Sequence, residues 1–223
     1  MVQGRTVVLG LREQKGRNHQ VSDSPRKLIV SQRVVISDTG ERRDALDQQW
    51  TRFLWQAGFL CLPLPNVESS VDDYLREPHD GILLTGGNDL RAVGGDAPDR
   101  DAVEFRLVEH ALNTGTPLLG VCRGMQVIQT HFGATLETID GHVTPHQTQT
   151  HLGKRISVNA FHNFGTRHQP GPLLVDGVAD DGVVKAISHP TAPVVGIMWH
   201  PERINPFRSD DLMMFRTFYG DAV

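Results

Sequence analysis

The stretch LLGVCRGMQVIQ, Leu118–Gln129, decides how this chain is read. A short apolar run meets a cysteine, and an amphipathic run follows it. Gly120 and Gly124 lie two residues to either side of Cys122. The pattern predicts a strand, a sharp turn and a helix, with the sulfur at the turn. Packing alone does not ask for glycines there. They are read as letting the backbone pass close to the sulfur and letting a substrate approach it.

Outward from this stretch the same alternation recurs. KLIVSQRVV (27–35) predicts a buried strand, and RRDALDQQWTRFLWQAG (42–58) predicts a helix. In that helix Leu46, Trp50, Phe53, Leu54 and Ala57 fall at helical spacing, and Gly58 supplies the stop. FLCLPLP (59–65) and GILLTGG (81–87) read as strands, and DAVEFRLVEHALNTG (101–115) reads as a helix closed by Gly115. Apolar strands alternating with helices imply a parallel sheet covered on both faces. After about residue 135 the signal changes to short strands with Gly/Pro turns: TLETI (135–139), RISVNAF (155–161), VVKAIS (183–188) and VVGIMWHP (194–201). The last helix, SDDLMMFRTFYG (209–220), is expected to start at a Ser/Asp cap. The whole reads as α/β, with an antiparallel flap in the second half.

With 223 residues, 39% of them hydrophobic and 22% charged, the chain is long enough to bury a real core. A net charge of -4 with mixed signs gives no argument for a nucleic-acid partner. No apolar run approaches the ~18 residues of a membrane span. With no secretory apolar segment near the start, the expectation is a cytoplasmic protein. Two cysteines, Cys61 and Cys122, are then read as free thiols, Cys61 as a core residue, and neither sits in a C-x-x-C pair. Residues 1–26 carry no helical or strand period and read as a flexible extension, leaving 27–223 as the domain.

A cysteine at the start of a helix is suited to nucleophilic work. The first turn leaves N–H groups unpaired and carries partial positive charge, which favours thiolate over thiol. The backbone N–H of Arg123, directly after the sulfur, points where an oxyanion develops. The bland alternative, a small core residue at a strand end, leaves the two glycines and Gln126 unexplained. Such a nucleophile needs a base and a group to orient it. Among eleven histidines, His200 in GIMWHPER (196–203) has the right neighbourhood. Pro201 stops the ladder there, and in extended chain His200 and Glu202 face the same way, so the carboxylate can set the imidazole tautomer.

These residues resemble a known family. GVCRGMQ (120–126) followed some eighty residues later by WHPE (199–202) is similar to the class I glutamine amidotransferases, with their G-x-C-x-G-x-Q elbow and Cys–His–Glu triad. The resemblance runs from about residue 27 to the C-terminus. It implies a flavodoxin-like three-layer sandwich with a mostly parallel sheet, and Cys122, His200 and Glu202 as catalytic residues. LLTGGND (83–89) resembles the loop that supplies a second oxyanion N–H, here from Gly87. Gln126 resembles the residue that helps hold the glutamyl portion, and Asn88 and His162 are candidates for the same pocket. No step of the implied chemistry needs a cofactor.

Within the family, TGGND (85–89) and APDRDAVEFRLVEHAL (97–112) resemble the γ-glutamyl hydrolases of the peptidase C26 kind that cut γ-glutamyl-γ-aminobutyrate. VNAFHNFG (158–165) departs from that branch's paired histidines, having His162 and Asn163. ERRDALDQQW (41–50), GGDAPDRD (94–101) and IMWHPERINPF (197–207) look closer to the γ-glutamyl-CDP-amidate hydrolases of capsule phosphoramidate synthesis. Ligands of open α/β sheets sit beyond the carboxyl ends of the strands, so ISDTGERRD (36–44) should share the rim with the elbow. Arg42 and Arg43, at an expected helix N-terminus, are then read as a phosphate clamp or as a solvated helix start paired with Asp44 or Asp47. His142 in DGHVTPHQTQTH (140–151) is expected near the pocket. The irregular histidine spacing and the lack of carboxylate partners argue against a metal site. The expected partner is a small γ-glutamyl substrate, such as a cytidine nucleotide conjugate. A glutaminase subunit feeding ammonia to a separate synthase partner is the enzymatic alternative. A catalytically silent binding protein is the other, against which every triad position is occupied by a competent residue.

Overall fold

The structure, a computed structural model, describes residues 25–220. Most of the expected extension, residues 1–24, lies outside the described residues. In chain order the elements are β1 (Arg26–Ser31), β2 (Arg33–Ile36), β3 (Arg42–Ala45), α1 (Gln48–Ala57), β4 (Phe59–Leu64), α2 (Val71–Arg76), β5 (Gly81–Leu84), α3 (Pro98–Thr114) and β6 (Leu118–Val121). There follow α4 (Arg123–His131), β7 (Glu137–Thr138), β8 (Val143–His151), β9 (Lys154–Phe161), β10 (Phe164–Gly165), β11 (Leu174–Ala179), β12 (Val184–Ser188), β13 (Val194–Ile197) and α5 (Ser209–Tyr219).

One nine-stranded sheet runs in the order β4-β1-β5-β6-β13-β12-β11-β8-β9. The pairings from β4 to β13 are parallel, and those from β13 to β9 are antiparallel. In the parallel half Leu28, Ile29 and Val30 of β1 and all of β5 and β6 are buried, as strands covered on both faces must be. Right-handed crossovers place α1 and α3 on opposite faces, because β4 lies on one side of β1 and β6 on the other. α1 packs with α5, and α3 packs with α4. Burying Trp50, Phe53 and Leu54 on α1 contributes about 1.5–3 kcal/mol for each such side chain. Among the described residues no helix is long and apolar enough to cross a membrane.

Three local expectations are corrected. The segment 27–35 is two strands: after Ser31 the chain leaves the sheet, and β2 folds back on β3 as a hairpin. Asn88 pins that hairpin, accepting from Val34 N at 2.8 Å and donating to Val34 O at 3.0 Å. Arg42 and Arg43 therefore lie on β3, and α1 begins six residues later, where the Asp47 carboxylate caps Gln49 N at 2.9 Å. At α5 the cap position is Arg208, which makes no side-chain cap bond. Ser209 and the acidic residues Asp210 and Asp211 sit inside the first turn, where they suit the helix dipole. The strands β8 and β11 carry no apolar alternation strong enough to be read. β8 exists because a two-residue loop, Leu152 (φ 46°) and Gly153 (φ 75°), turns it onto β9 with the twist that antiparallel strands need.

Candidate active site

Cys122 lies between β6 and α4 with φ 54° and ψ −105°. A non-glycine residue in that conformation stores about 1–3 kcal/mol of strain, which its surroundings must hold. Its N–H donates to Ile197 O at 2.8 Å, and its carbonyl accepts from Gln126 N at 3.1 Å. A Cβ at Gly120 would stand 2.5 Å from the Gly124 carbonyl, and one at Gly124 would run into the Leu84 backbone. The two glycines let α4 lie directly on β5 and β6. They serve close packing under the elbow, and the expectation that they open a path for substrate is corrected. The cysteine is 5% exposed, with Sγ 3.9 Å from Phe161 O.

His200 follows β13 and is clamped by Asn159 of β9, which accepts from His200 N at 2.7 Å and donates to His200 O at 2.8 Å. Pro201–Arg203 then forms a single 3-10 turn. That turn, not the expected extended alternation, brings Glu202 Oε1 to 2.7 Å from His200 Nδ1, with both side chains buried. Donation from Nδ1 leaves Nε2 as the reactive nitrogen. Nε2 is buried and has no hydrogen-bond partner among the described residues, and Cys122 acts electrostatically on the ring. Burial alone would push the His200 imidazole down. The charges of Cys122 and Glu202 and the hydrogen bond to Glu202 carry it the other way, up to about 9.

The loop after β5 is shaped from below by Arg100, which is fully buried on α3. Its guanidinium donates to Thr85 O at 2.8 Å, Gly86 O at 3.2 Å and Gly87 O at 2.5 Å. Across a trans peptide the N–H points opposite to the C=O, so the N–H of Gly87 is turned away from Arg100. Arg100 also pairs with Glu104 at 2.9 Å, and the buried Arg123 side chain joins the same cluster through Glu104 and Asp101.

Gly87, Asn88, Cys122, Arg123, Gln126, Phe161 and His162 line one cavity of about 180 Å³. The structure thus brings together every expected site residue except Arg42 and Arg43. Asn88 reaches it with its side chain already committed to Val34. Gln126 Nε2 donates to Phe164 O at 2.8 Å, and His162 Nδ1 donates to the same oxygen at 2.9 Å. Arg42 turns instead to Asp96 O and Asp99, and Arg43 pairs with Glu41 at 2.5 Å. Their expected place at a helix N-terminus is corrected, since both sit on β3 in the exposed part of the hairpin.

Comparison with known proteins gives the family. The sequence matches peptidase C26 over residues 29–153 and 142–202. It is 31% identical over 180 residues to the gamma-glutamyl-CDP-amidate hydrolase of Campylobacter jejuni, covering 79% of this chain and 90% of that one. The chain belongs to the peptidase C26 family. With that goes the class of enzyme, a hydrolase acting on γ-glutamyl amide bonds within the glutamine amidotransferase superfamily. A gamma-glutamyl-gamma-aminobutyrate hydrolase of Escherichia coli is 28% identical over 206 residues, covering 73% of this chain and 80% of that one. A putative GMP synthase subunit from Thermoplasma acidophilum shares the fold, with a TM-score of 0.68 at 21% identity, covering 88% and 94% of the two chains.

Several residues of this C26 peptidase escaped sequence reasoning. Lys185 on β12 is 1% exposed and donates to His162 Nε2 at 2.6 Å and His142 Nδ1 at 2.7 Å. Burial lowers its ammonium to about 7, against the pull of Asp181 and Cys122. His162, desolvated and beside Lys185, drops to about 3 and stays neutral. His142 lies behind the pocket wall rather than in it. It has the carboxylate partner that the sequence seemed to lack, Asp181 at 3.1 Å, contributed from a distant turn. The lone charge in VVKAIS was the available signal for Lys185. Asn159, Arg100 and Arg33 offered none, because their partners lie elsewhere in the chain. Cys61 is half-buried and free, its thiol pushed up to about 11 by burial.

Proposed function

We propose that the protein hydrolyses a γ-glutamyl amide by a cysteine mechanism and releases glutamate, with a γ-glutamyl-CDP-amidate as substrate. The observation that carries the mechanism is the buried line from Glu202 through His200 to the strained Cys122, opening on the cavity that Gln126 and His162 line. The Cys122 thiolate attacks the γ-carbonyl carbon, forming the C–S bond and placing the π electrons on oxygen. Backbone N–H groups of Gly87 and Arg123 hold that oxyanion. As it collapses the C–N bond breaks, and His200 gives its Nε2 proton to the leaving nitrogen. Water then loses a proton to His200, its oxygen attacks the thioester, and breaking the C–S bond returns the thiolate and frees glutamate.

The choice of nucleotide conjugate is supported by the relative from Campylobacter jejuni, matched along nearly its whole length. Purified protein is to be incubated with γ-glutamyl-CDP-amidate, γ-glutamyl-γ-aminobutyrate and glutamine, with Cys122→Ala as control. Glutamate release from the nucleotide conjugate far above the other two is expected. Release mainly from the aminobutyrate conjugate moves the substrate to that branch. Release from glutamine alone, stimulated by a synthase, overturns the hydrolase reading.

A further inference from the structure

A second cavity, of about 310 Å³, lies on the other side of the Cys122–His200 pair, between the β2–β3 hairpin and the Pro201–Arg203 turn. Its walls include Arg33, Asp47, Trp50, Gly86 and Arg203. Gly86 ties it to the chemistry: a Cβ there would stand 2.7 Å from His200 Cε1 and 3.6 Å from Cys122 Cβ. The Arg33 guanidinium lies against Gly87, where a side chain would collide with it, and Gly87 also lines the first cavity. Arg203 sits with Cζ 5.3 Å over the Phe161 ring, another wall of the first cavity. Two cations thus stand at the seam between the two spaces.

Their charge is met only in part from within: the charges of Asp47 and Cys122 favour the Arg33 cation, and Asp47 and Glu202 line the same cavity. Among the described residues the Arg33 guanidinium makes no ion pair and no hydrogen bond, and the one carboxylate that Arg203 reaches is Glu202, whose Oε1 lies at 3.5 Å and is already held by His200. Asp47 faces the same cavity, but its carboxylate caps α1. Burial, and then the neighbouring Arg100 and Arg203, push the Arg33 guanidinium down from its usual range, as crowded cations do. A guanidinium pair matches the oxygens of a phosphoryl group, and the volume falls at the small end of ligand pockets of about 300–1,000 Å³.

We propose that this second cavity is the leaving-group subsite, and that Arg33 and Arg203 grip the phosphoryl group bonded to the scissile nitrogen. It rests on the γ-glutamyl amide hydrolase reading and assigns to Arg33 and Arg203 the anion-binding role expected of Arg42 and Arg43.

Two arms test it on the full chain. In the first, cytidine diphosphate is titrated into Cys122→Ala protein by calorimetry, with and without Arg33→Gln, Arg33→Lys or Arg203→Gln. In the second, kcat/KM is measured for γ-glutamyl-CDP-amidate and for γ-glutamyl-p-nitroanilide, which has no anion beyond the scissile nitrogen. We expect Arg33→Gln and Arg203→Gln each to weaken cytidine diphosphate at least tenfold. The preference for the nucleotide substrate over the anilide should fall by a similar factor, and Arg33→Lys should recover part of both. Affinity and preference left intact in both glutamine variants overturn the subsite, even if the nucleotide conjugate is cleaved. No binding of cytidine diphosphate at millimolar concentration overturns it too. Binding that depends on Arg33, in a protein that cleaves no γ-glutamyl amide, overturns the proposed function and with it the leaving-group role, leaving an anion site at Arg33.

Discussion

The two sides of the Cys122–His200 pair are built on opposite principles. On the side of Gln126 and His162, the main polar side chains are tied to one another or to the backbone. Gln126 and His162 share the Phe164 carbonyl, Lys185 holds His162 and His142, and Arg123 is held by Asp101 and Glu104. On the side of Arg33 and Arg203 the cations face a cavity whose two carboxylates are already engaged, Asp47 in capping α1 and Glu202 in holding His200. Closed networks of buried polar groups are rigid, and breaking them is costly. A wall of that kind suits a portion of substrate that never changes, while charge answered only in part suits a ligand that brings its own. The difference teaches where to look for reaction machinery and where to look for substrate choice.

The sharpest break would come at the centre. Cys122→Ala should lower kcat by about 10⁴-fold or more with the fold intact, read by glutamate release and by the denaturation midpoint. A residual rate within tenfold of the parent would remove the nucleophile from the account. Next, the closed side should be fragile where the open side is not. Arg123→Met leaves Asp101 only the Arg91 N–H and removes one of two arginines from Glu104, so about 3–5 kcal/mol of stability should be lost in urea unfolding. Arg33→Gln should shift it by no more than about 0.5 kcal/mol. Equal losses at both positions would erase the contrast.

Glu202→Gln keeps the shape of the triad and removes one of the charges that favour a protonated His200, so kcat should fall about 10²-fold. The pH profile carries a sign. The His200 proton needed by the leaving nitrogen is held up to about 9, so activity should decline as pH rises through that value. In Glu202→Gln the alkaline limb should move to lower pH, and an unmoved limb would detach His200 from it. The smallest effect belongs to Lys185. Its ammonium is lowered to about 7 from 10.5, so between those values the unfolded chain binds the proton that the folded protein releases. Stability should therefore rise with pH across that window in the parent relative to Lys185→Met. Parallel stability curves for the two proteins would show that Lys185 titrates normally.

Periodic burial was legible because it is local. The apolar runs of β1, β5 and β6, the α1 face of Trp50, Phe53, Leu54 and Ala57, and the glycine stop at Gly58 all report on neighbours a few residues away. The polar strand β8 was not legible, because its partner and its turn make it a strand rather than its own pattern.

By itself the sequence determined the parallel half of the sheet and the elbow around Cys122. Each depends on side-chain character repeated at short spacing, which the backbone periods turn directly into direction. The tertiary structure alone decided that Arg33 and Arg203, not Arg42 and Arg43, line the cavity beside Gly86. It also decided that Lys185 reaches His162, and that Arg100 turns the carbonyls of residues 85–87 away from the site. Those placements depend on where the hairpin leaves the sheet and on the register of β12, both set by contacts between residues far apart in the chain.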